Sequence, residues 1–324
     1  MGVLINGQWT DGELPQETGR SGAFERADSA CRARVTADGS SGFKAEPGRY
    51  HLYVAHACPW AHRTLIYRAV KQLESVISVA YAIPGLRKHG WTFERDDHYP
   101  DCVPDEVNGF HHLYEAYAAS DPAYTGKVTV PALWDTKTRR IVNNESSDII
   151  RMFNAEFNAI TGNHLDLYPP ALRAEIDAVN ERVYHAVNNG VYRAGFAKAQ
   201  NAYDEAYDRL FETPDWLERR LSRQRYLVGS QITKADWRLF PTLVRFDVAY
   251  FSLFKCNRQR IADYPNLSNY MRELYHVPGV AATVKPRYYV INYYAIAKVN
   301  PTQIIPKGVP VDFDRPHDRA RLAA

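Results

Sequence analysis

Residues 49–66 read RYHLYVAHACPWAHRTLI, and this segment predicts a strand, a sharp turn and a helix in direct succession. Tyr50 to Ala55 is rich in the aromatic and apolar side chains typical of a buried strand. Beyond the turn, apolar residues recur at helical spacing, and proline is favoured in the first turn of a helix. Those recurring residues are Leu65, Ile66, Ala69, Val70 and Leu73. Cys58, immediately before Pro59, therefore lies between the predicted strand and the predicted helix.

The chain beyond this segment predicts a small mixed sheet. Val76 to Ile83 is a second buried-type strand, and with the preceding strand and helix it makes a parallel βαβ unit. Residues 84–126 are polar and too long for an ordinary connection, so we interpret them as an insertion that is helical in part. Lys127 to Trp134 and Arg139 to Val142 predict an antiparallel hairpin, and Ile149 to Phe157 predicts a helix after polar capping residues. The order βαβ-ββα predicts a thioredoxin-like domain.

The second half of the chain predicts helices only. After Pro169-Pro170, three long runs show helical periodicity, at residues 171–188, 197–222 and 235–254. Thr233 and Asp236 form a variant of the capping box at the start of the third run. The predicted fold class is therefore α/β plus all-α. Its segments are an irregular N-terminal extension at 1–47, a thioredoxin-like domain at 48–160 with the insertion at 84–126, and an all-helical domain at 161–324 with an irregular tail from Pro301.

Composition excludes several classes of protein. The 324 residues include 40 Lys and Arg against 37 Asp and Glu, and a net charge of +3 argues against nucleic acid or an anionic membrane as a partner. With 45% hydrophobic residues, the chain is globular rather than disordered. The four cysteines are far apart and lack metal-type spacing, which argues against a disulfide scaffold. No secretory signal and no run of 18 apolar residues is present, so we expect a cytoplasmic protein.

Cys58 is the strongest chemical signal in the sequence. A thiol at a helix N-terminus meets the positive end of the helix dipole, which lowers its pKa from about 8.5 and favours the nucleophilic thiolate. The alternative is a buried structural cysteine. The residue three positions further on is Ala61 rather than a second cysteine. Any mixed disulfide at Cys58 must therefore be resolved by an external thiol.

Two histidines, His56 and His62, flank Cys58 and suggest a metal site or a Cys-His catalytic pair. No third or fourth metal ligand follows at suitable spacing. His62 comes about one helical turn after Cys58, where its ring could instead form hydrogen bonds at the surface. We therefore favour neither interpretation and expect no metal.

Two further motifs suit recognition of a peptide. Val130-Pro131 is an X-Pro bond, and a cis bond there would present the backbone amide and carbonyl of Val130 to a peptide ligand. Glu145-Ser146 stands at a predicted helix start, where a backbone amide and a hydroxyl suit a carboxylate and Glu145 suits an ammonium. A plain helix cap is the alternative for this second motif.

Taken together, the motifs resemble the cytosolic glutathione transferases, and more specifically the glutathionyl-hydroquinone reductases of the Xi class. The resemblance covers the chain from about Phe24 to Thr302. It rests on the segments RYHLYVAHACPWAHRTLI, VTVPALWD, NNESSDIIRMFN, NNGVYRAGF, TLVRFDVAY, FKCN and NYY…NPT. The resemblance implies glutathione as a co-substrate and a homodimer as the assembly.

The resemblance also implies roles for seven residues. Cys58 would be the catalytic nucleophile, and Tyr192 and Tyr293 would be tyrosines that face the sulfur and the aromatic substrate. Tyr294 adjoins the second tyrosine and is the alternative for its role. The residues implied to hold glutathione are Trp91, Val130 through its backbone, Glu145 and Ser146.

The implied reaction is glutathione-dependent reduction of a glutathionyl-hydroquinone. The Cys58 thiolate would attack the glutathionyl sulfur, and a second glutathione would resolve the mixed disulfide and leave as oxidised glutathione. One alternative is another thiol reaction on the same fold, such as dehydroascorbate reduction or thiol transfer to a different acceptor. A second alternative is a non-catalytic binding protein, against which the intact Cys58 and Glu145-Ser146 count.

Overall fold

The computed structural model describes residues 2–10, 22–85, 88–308 and 311–322. The chain divides into two compact units, Met1–Pro15 with Ala27–Leu165, and Gln16–Arg26 with Asp166–Ala324. In the described residues the first unit contains strands and helices, and the second contains helices without strands. The predicted fold class, α/β plus all-α, is confirmed. No helix within these ranges is long and apolar enough to cross a membrane.

The first unit is built around a four-stranded mixed sheet. Its described strands are β1 Val3–Ile5, β2 Gln8–Thr10, β3 Val35–Thr36, β4 Phe43–Lys44, β5 Tyr50–Ala55, β6 Ile77–Ala82, β7 Gly126–Lys127, β8 Ala132–Asp135 and β9 Arg140–Asn143. Its helices are α1 Pro59–Val70, α2 Leu113–Ser120, α3 Ser146–Ala155 and α4 Asn158–Thr161. The central sheet has the order β6-β5-β8-β9, in which β5 pairs parallel with β6 and antiparallel with β8. This is the predicted βαβ-ββα arrangement.

Strand β5 and helix α1 bring Cys58 to the end of the central strand. All six residues of β5 are buried, as expected of a strand with neighbours on both sides and cover on both faces. Cys58 is the extended capping residue, with φ −77° and ψ 121°, and Pro59 is the first residue of α1. Proline fits there because the first helical N–H groups have no partner within the helix.

The N-terminal extension at 1–47, which the sequence predicts to be irregular, contains short strands in its described part. β1 and β2 form a hairpin whose two-residue loop is Asn6-Gly7, and both loop residues have positive φ, 47° and 72°. Such a loop matches the right-handed twist of paired strands. β7, from the end of the insertion, completes a three-stranded sheet on β1. Three-residue strands are too short for a periodicity in the sequence to reveal them.

The segment Lys127 to Trp134, predicted as one strand, belongs to two different sheets. β7 pairs with β1, whereas β8 begins at Ala132 and pairs with β5 and β9. The cis bond between Val130 and Pro131 separates the two strands. Proline has no N–H to give to a ladder, so the ladder is interrupted there.

The second unit consists of helices in the part of the chain that is described. They are α5 Arg173–Val183, α6 Gly190–Gly195, α7 Gln200–Leu221, α8 Lys234–Arg245, α9 Phe251–Leu253, α10 Pro265–Tyr275 and α11 Pro286–Tyr294. Two π-helical turns, Tyr184–Asn188 and Phe246–Tyr250, lie inside the first and third predicted runs. The predicted capping box is confirmed, since Thr233 accepts from Ala235 N–H at 3.3 Å and Asp236 accepts from Thr233 N–H at 2.7 Å.

The described tail residues, 301–308 and 311–322, carry one 3₁₀ turn, Arg319–Leu322, and otherwise lack regular structure. The tail nevertheless has a buried anchor, because the Arg319 side chain is fully buried. Its guanidinium donates at 2.6 Å to each of the carbonyls of Leu221, Gln224 and Arg225. Arg319 therefore satisfies the last carbonyl of α7, which has no helical partner, and two carbonyls of the segment that follows the helix.

Candidate active site

Cys58 is half-buried and caps the N-terminus of α1. Its sulfur accepts a hydrogen bond from the Ala61 N–H at an N···S distance of 3.5 Å. The same sulfur lies 3.4 Å from the carbonyl oxygen of Val130, to which the thiol donates. The sulfur is thus held between the positive end of a helix and the residue that precedes the cis proline.

The other three cysteines lack this setting. Burial raises the pKa of Cys31, raises that of Cys102 to about 12, and raises that of Cys256 further still. Cys102 is 6% exposed and Cys256 is fully buried. All three are therefore neutral thiols at physiological pH, and a neutral thiol is a poor nucleophile.

The Val130-Pro131 bond is cis. The carbonyl of Val130 accepts from the Cys58 thiol. The N–H of Val130 donates to no other residue in the described part of the chain. Val130 itself is 5% exposed. A peptide laid along this segment would find a backbone donor available beside the sulfur.

Glu145 and Ser146 begin helix α3. Glu145 is the extended capping residue, and its Oε1 accepts from the Ser147 N–H at 2.9 Å. Ser146 is 2% exposed, and its hydroxyl accepts from Nη1 of Arg63 at 3.3 Å. Because Arg63 belongs to α1, this bond fixes the start of α3 to the helix that Cys58 caps. Glu145 therefore does cap helix α3, as the alternative interpretation states. Because a carboxylate offers about four acceptor positions, the cap does not prevent Glu145 from also binding a ligand.

Trp91, from the insertion, belongs to the same unit and is half-buried. Its carbonyl accepts from the Leu113 N–H at 2.9 Å, at the start of α2. Among the described residues, no hydrogen bond or ring contact joins its side chain to the residues around Cys58 or to Glu145 and Ser146. The structure places Cys58 against Val130 and joins Ser146 to α1.

In the second unit, three tyrosine hydroxyls meet. We call Tyr192, Tyr250 and Tyr293 the tyrosine cluster. The hydroxyl oxygens of Tyr192 and Tyr293 are 2.6 Å apart, those of Tyr250 and Tyr293 are 2.8 Å apart, and those of Tyr192 and Tyr250 are 3.5 Å apart. The neighbouring Tyr294 instead bonds the Ser252 hydroxyl. Tyr293, and not Tyr294, is therefore the residue of that pair that joins Tyr192.

The three hydroxyls of the tyrosine cluster differ in burial. Tyr250 is fully buried, and the hydroxyl of Tyr293 is the nearer of its two tyrosine partners. Tyr293 is 4% exposed and its hydroxyl bonds that of Tyr192, which is half-buried. Burial also raises the pKa of Tyr250 and of Tyr293 well above 10, so both remain protonated donors at neutral pH. Tyr192 is therefore the most exposed member of the tyrosine cluster.

The two π-helical turns help to position this cluster. One turn ends at Asn188, four residues before Tyr192, and the other ends at Tyr250. The Asn188 side-chain amide donates to the Thr242 hydroxyl at 2.8 Å, which joins the helices that carry the two turns. A π turn adds a residue and rotates the side chains that follow, and such turns are frequent at functional sites.

Three residues that the sequence reasoning did not single out touch these groups. Arg63 bonds Ser146, the Ser29 hydroxyl donates to Glu145 Oε2 at 3.0 Å, and Tyr250 bonds Tyr293. Arg63 and Tyr250 lie within segments that carry the family resemblance. That resemblance was the one sequence feature that could have indicated them. Ser29 lies in the segment predicted to be irregular, where no pattern indicated it.

The histidines beside Cys58 are occupied with structural contacts. His56 stacks on Tyr81 with ring centroids 4.4 Å apart, and its Nε2 lies 3.1 Å from the Asp101 carbonyl oxygen. His62 is fully buried, so the expectation that its ring bonds the surface is wrong. The described residues contain no group of three or more His, Cys, Asp or Glu side chains that could hold a metal ion.

Two family profiles match the chain. The N-terminal domain of glutathione S-transferases matches residues 57–156, and the C-terminal domain matches residues 200–273. The chain belongs to the glutathione S-transferase family. The first match contains Cys58, Trp91, Val130 and Glu145-Ser146, and the second contains Tyr250.

Similar proteins narrow this membership. The glutathionyl-hydroquinone reductase PcpF of Sphingobium chlorophenolicum is 50% identical over 95% of this chain and 96% of its own length. The glutathionyl-hydroquinone reductase YqjG of Escherichia coli is 48% identical over 98% of both chains. Among solved structures, glutathione-bound YqjG has a TM-score of 0.90 at 46% identity, covering 98% of this chain and 99% of that one. A Xi-class transferase from Natrialba magadii has a TM-score of 0.92 at 41% identity, covering 100% and 98%. The resemblance to Xi-class transferases is confirmed.

Proposed function

We propose that this transferase reduces glutathionyl-hydroquinones to hydroquinones at the expense of glutathione, and that Cys58 carries the reaction. The observation that supports this most directly is the position of the Cys58 sulfur at the N-terminus of α1, 3.5 Å from a helical N–H. Relatives about half identical to this chain bear the name of that activity.

The first step transfers the glutathionyl group to Cys58. The thiolate attacks the glutathionyl sulfur of the substrate in its ketone form, so that an S–S bond forms as the carbon–sulfur bond breaks. The electron pair moves through the ring to the ketone oxygen, which takes a proton and restores the aromatic hydroquinone. Cys58 remains as a mixed disulfide with glutathione.

The second step regenerates the thiol. The thiolate of a second glutathione attacks the glutathione sulfur of the mixed disulfide, which releases oxidised glutathione and the Cys58 thiolate. Ala61 stands where an internal resolving cysteine would be, so the chain supplies no second thiol there. Overall, the glutathionyl group of the substrate and one free glutathione leave joined as oxidised glutathione, and the ring carbon that carried the sulfur is reduced by two electrons.

Glutathione binding is assigned to groups around the start of α1 and α3. The Val130 N–H and carbonyl would pair with the peptide backbone of glutathione, as in strand addition. The Glu145 carboxylate would take the ammonium of the γ-glutamyl group, and the Ser146 N–H and hydroxyl its carboxylate. Trp91, half-buried in the insertion, would cover the remaining face of glutathione.

We assign two tasks to the tyrosine cluster: it donates a proton to the hydroquinone oxygen, and it stabilises the negative charge that develops there. We assign the donor order Tyr250 to Tyr293 to Tyr192, which makes Tyr192 the terminal donor, because Tyr192 is the most exposed of the three and its hydroxyl lies 2.6 Å from that of Tyr293. A phenol that accepts hydrogen bonds gives up its own proton more readily, since its oxygen is stabilised as charge builds. Tyr293 then acts in support of Tyr192.

The test is release of hydroquinone from a panel of glutathionyl-hydroquinones, followed by chromatography, with formation of oxidised glutathione followed in parallel. The wild-type protein should release both products in equal amounts. The Cys58→Ala variant should release neither, and Cys102→Ala serves as the matched control with full activity. Absence of release by the wild type, or activity of Cys58→Ala within tenfold of it, would overturn the assignment.

We also propose that the protein works in the cytoplasm as a homodimer. Both statements rest on the family resemblance and on a cysteine chemistry that needs a reducing glutathione pool. Light scattering across the micromolar range should give twice the mass of the 37.0 kDa chain, and a monomer mass would contradict the dimer.

A further inference from the structure

The N-terminal extension is attached to the loop that carries Glu145. The Cys31 N–H donates to Asn144 Oδ1 at 3.0 Å, and the Cys31 carbonyl accepts from the Asn144 N–H at 3.0 Å. The Asn143 side-chain amide donates to the Ala33 carbonyl at 2.9 Å. Arg32 pairs with Asp148 at 2.6 Å, and this contact raises the pKa of Arg32. The backbone of residues 31–33 is thereby fixed against residues 143–148.

This attachment brings one hydroxyl to the Glu145 carboxylate. Ser29 is half-buried, whereas Asp28 and Ala30 on either side of it are exposed. The Oγ of Ser29 donates to Glu145 Oε2 at 3.0 Å. The carbonyl oxygen of Asn144 lies 3.4 Å from the Ser29 Oγ. The other carboxylate oxygen, Oε1, already accepts the capping N–H of Ser147.

Two donors on two different oxygens fix the orientation of the carboxylate. With the cap alone, the carboxyl group could still rotate about its last bond, and a long acidic side chain loses rotamer entropy when it is ordered. The Ser29 hydroxyl removes that freedom before any ligand arrives, so binding does not bear the cost. About two acceptor positions of the carboxylate remain for a ligand ammonium.

We infer that Ser29 is a positioning residue for glutathione binding, which acts by orienting the Glu145 carboxylate toward the γ-glutamyl ammonium. The extension, through residues 29–33, is then a part of the glutathione site and not only a cover for the sheet. This inference rests on the proposed function.

Calorimetry with glutathione and the full-length chain tests the inference. The Ser29→Ala variant should bind glutathione three- to tenfold more weakly, which corresponds to about 0.7 to 1.4 kcal/mol. Ser29→Thr keeps the hydroxyl and should bind within about twofold of the wild type. Ser40→Ala is the matched control, because the Ser40 hydroxyl bonds Asp38 at 2.8 Å within its own turn of the extension. It should bind as the wild type does.

Two measurements separate positioning from a general loss of structure. A glutathione analogue that lacks the γ-glutamyl amino group should bind Ser29→Ala and the wild type equally, because it has no ammonium for Glu145 to hold. In a Glu145→Ala background, Ser29→Ala should cause no further loss of glutathione affinity. Equal weakening for the analogue, or an added loss in that background, would overturn the positioning role.

The failure of this inference differs from the failure of the proposed function. If the wild type binds glutathione, Glu145→Ala weakens binding and Ser29→Ala binds within twofold of the wild type, the inference alone is wrong. If the wild type does not bind glutathione, the proposed function is wrong and the inference falls with it.

Discussion

Replacing the three hydroxyls of the tyrosine cluster one at a time should give three different losses of activity. Tyr192→Phe, Tyr293→Phe and Tyr250→Phe each keep the ring and remove one donor. If the donor chain ends at Tyr192, the loss should be largest there, smaller at Tyr293 and smallest at Tyr250. The order follows from the hydroxyl distances of 2.6 and 2.8 Å and from the burial of Tyr250.

Each magnitude follows from what the hydroxyl contacts. Loss of a donor aimed at developing charge costs about 2.7 to 4 kcal/mol, so Tyr192→Phe should slow turnover roughly 100- to 1,000-fold. Tyr293→Phe removes a charge-assisted bond to Tyr192, worth about 1.5 to 3 kcal/mol, or roughly 10- to 150-fold. Tyr250→Phe removes only the polarisation of Tyr293, about 10 to 30% of one bond, so the loss should stay below about fivefold.

The assay is single-turnover release of hydroquinone at pH 7, quenched on the millisecond scale so that resolution by glutathione does not mask chemistry. The double variant Tyr192→Phe with Tyr293→Phe should lose less than the product of the single losses, because both hydroxyls serve one oxygen. Melting temperatures near that of the wild type would attribute the losses to chemistry rather than packing. A larger loss for Tyr250→Phe than for Tyr192→Phe, or full activity of Tyr192→Phe, would refute the direction of the chain.

Three further predictions follow from single groups. Substrate supplied without excess glutathione should leave a glutathione adduct on Cys58, seen by peptide mass spectrometry, and an adduct on Cys31 or Cys102 alone would place the nucleophile elsewhere. Glu145→Ala should weaken glutathione binding by about 1.5 to 3 kcal/mol in calorimetry, and unchanged affinity would show that Glu145 only caps its helix. Burial lowers the pKa of His51 to about 4 from the usual 6.5. Between these two pH values the unfolded state binds a proton that the folded state does not. The free energy of unfolding should therefore fall as the pH drops from 6.5 toward 4, by at most about 1.4 kcal/mol per pH unit. Urea unfolding at pH 7 and pH 5 measures this, and a His51→Gln variant with the same pH dependence would contradict it.

The sheet around Cys58 could be predicted because its signals are local. The strand before Cys58, the helix that Pro59 begins and the cap at Glu145 each depend on residues close together in sequence. The predicted segment Lys127 to Trp134 failed for the opposite reason, since β7 pairs with a strand more than a hundred residues earlier. Nothing near Lys127 shows that its partner is Val3.

The tyrosine cluster was predicted in part, for a related reason. The resemblance named Tyr192 and Tyr293, and it could not separate Tyr293 from Tyr294, because adjacent residues of a helix share almost the same sequence context. The third hydroxyl, Tyr250, ends a π turn, and the added residue of such a turn disturbs the helical periodicity by which buried positions are recognised. Where three hydroxyls meet depends on helix packing, which periodicity does not specify.

Segment 27–47 shows why an absence of periodicity is weak evidence for an absence of order. Periodic sequences arise when a helix or strand buries one face, but residues 29–35 are held mainly by polar bonds to Asn143, Asn144, Glu145, Asp148 and Met152. Such bonds use backbone groups that every residue has, together with a few polar side chains, so they impose no repeat. A segment of this kind reads as a linker in the sequence even where each residue has a fixed partner. A contribution of such a segment to function can be inferred only from the residues it bonds, and here one of these is Glu145, whose carboxylate accepts from Ser29.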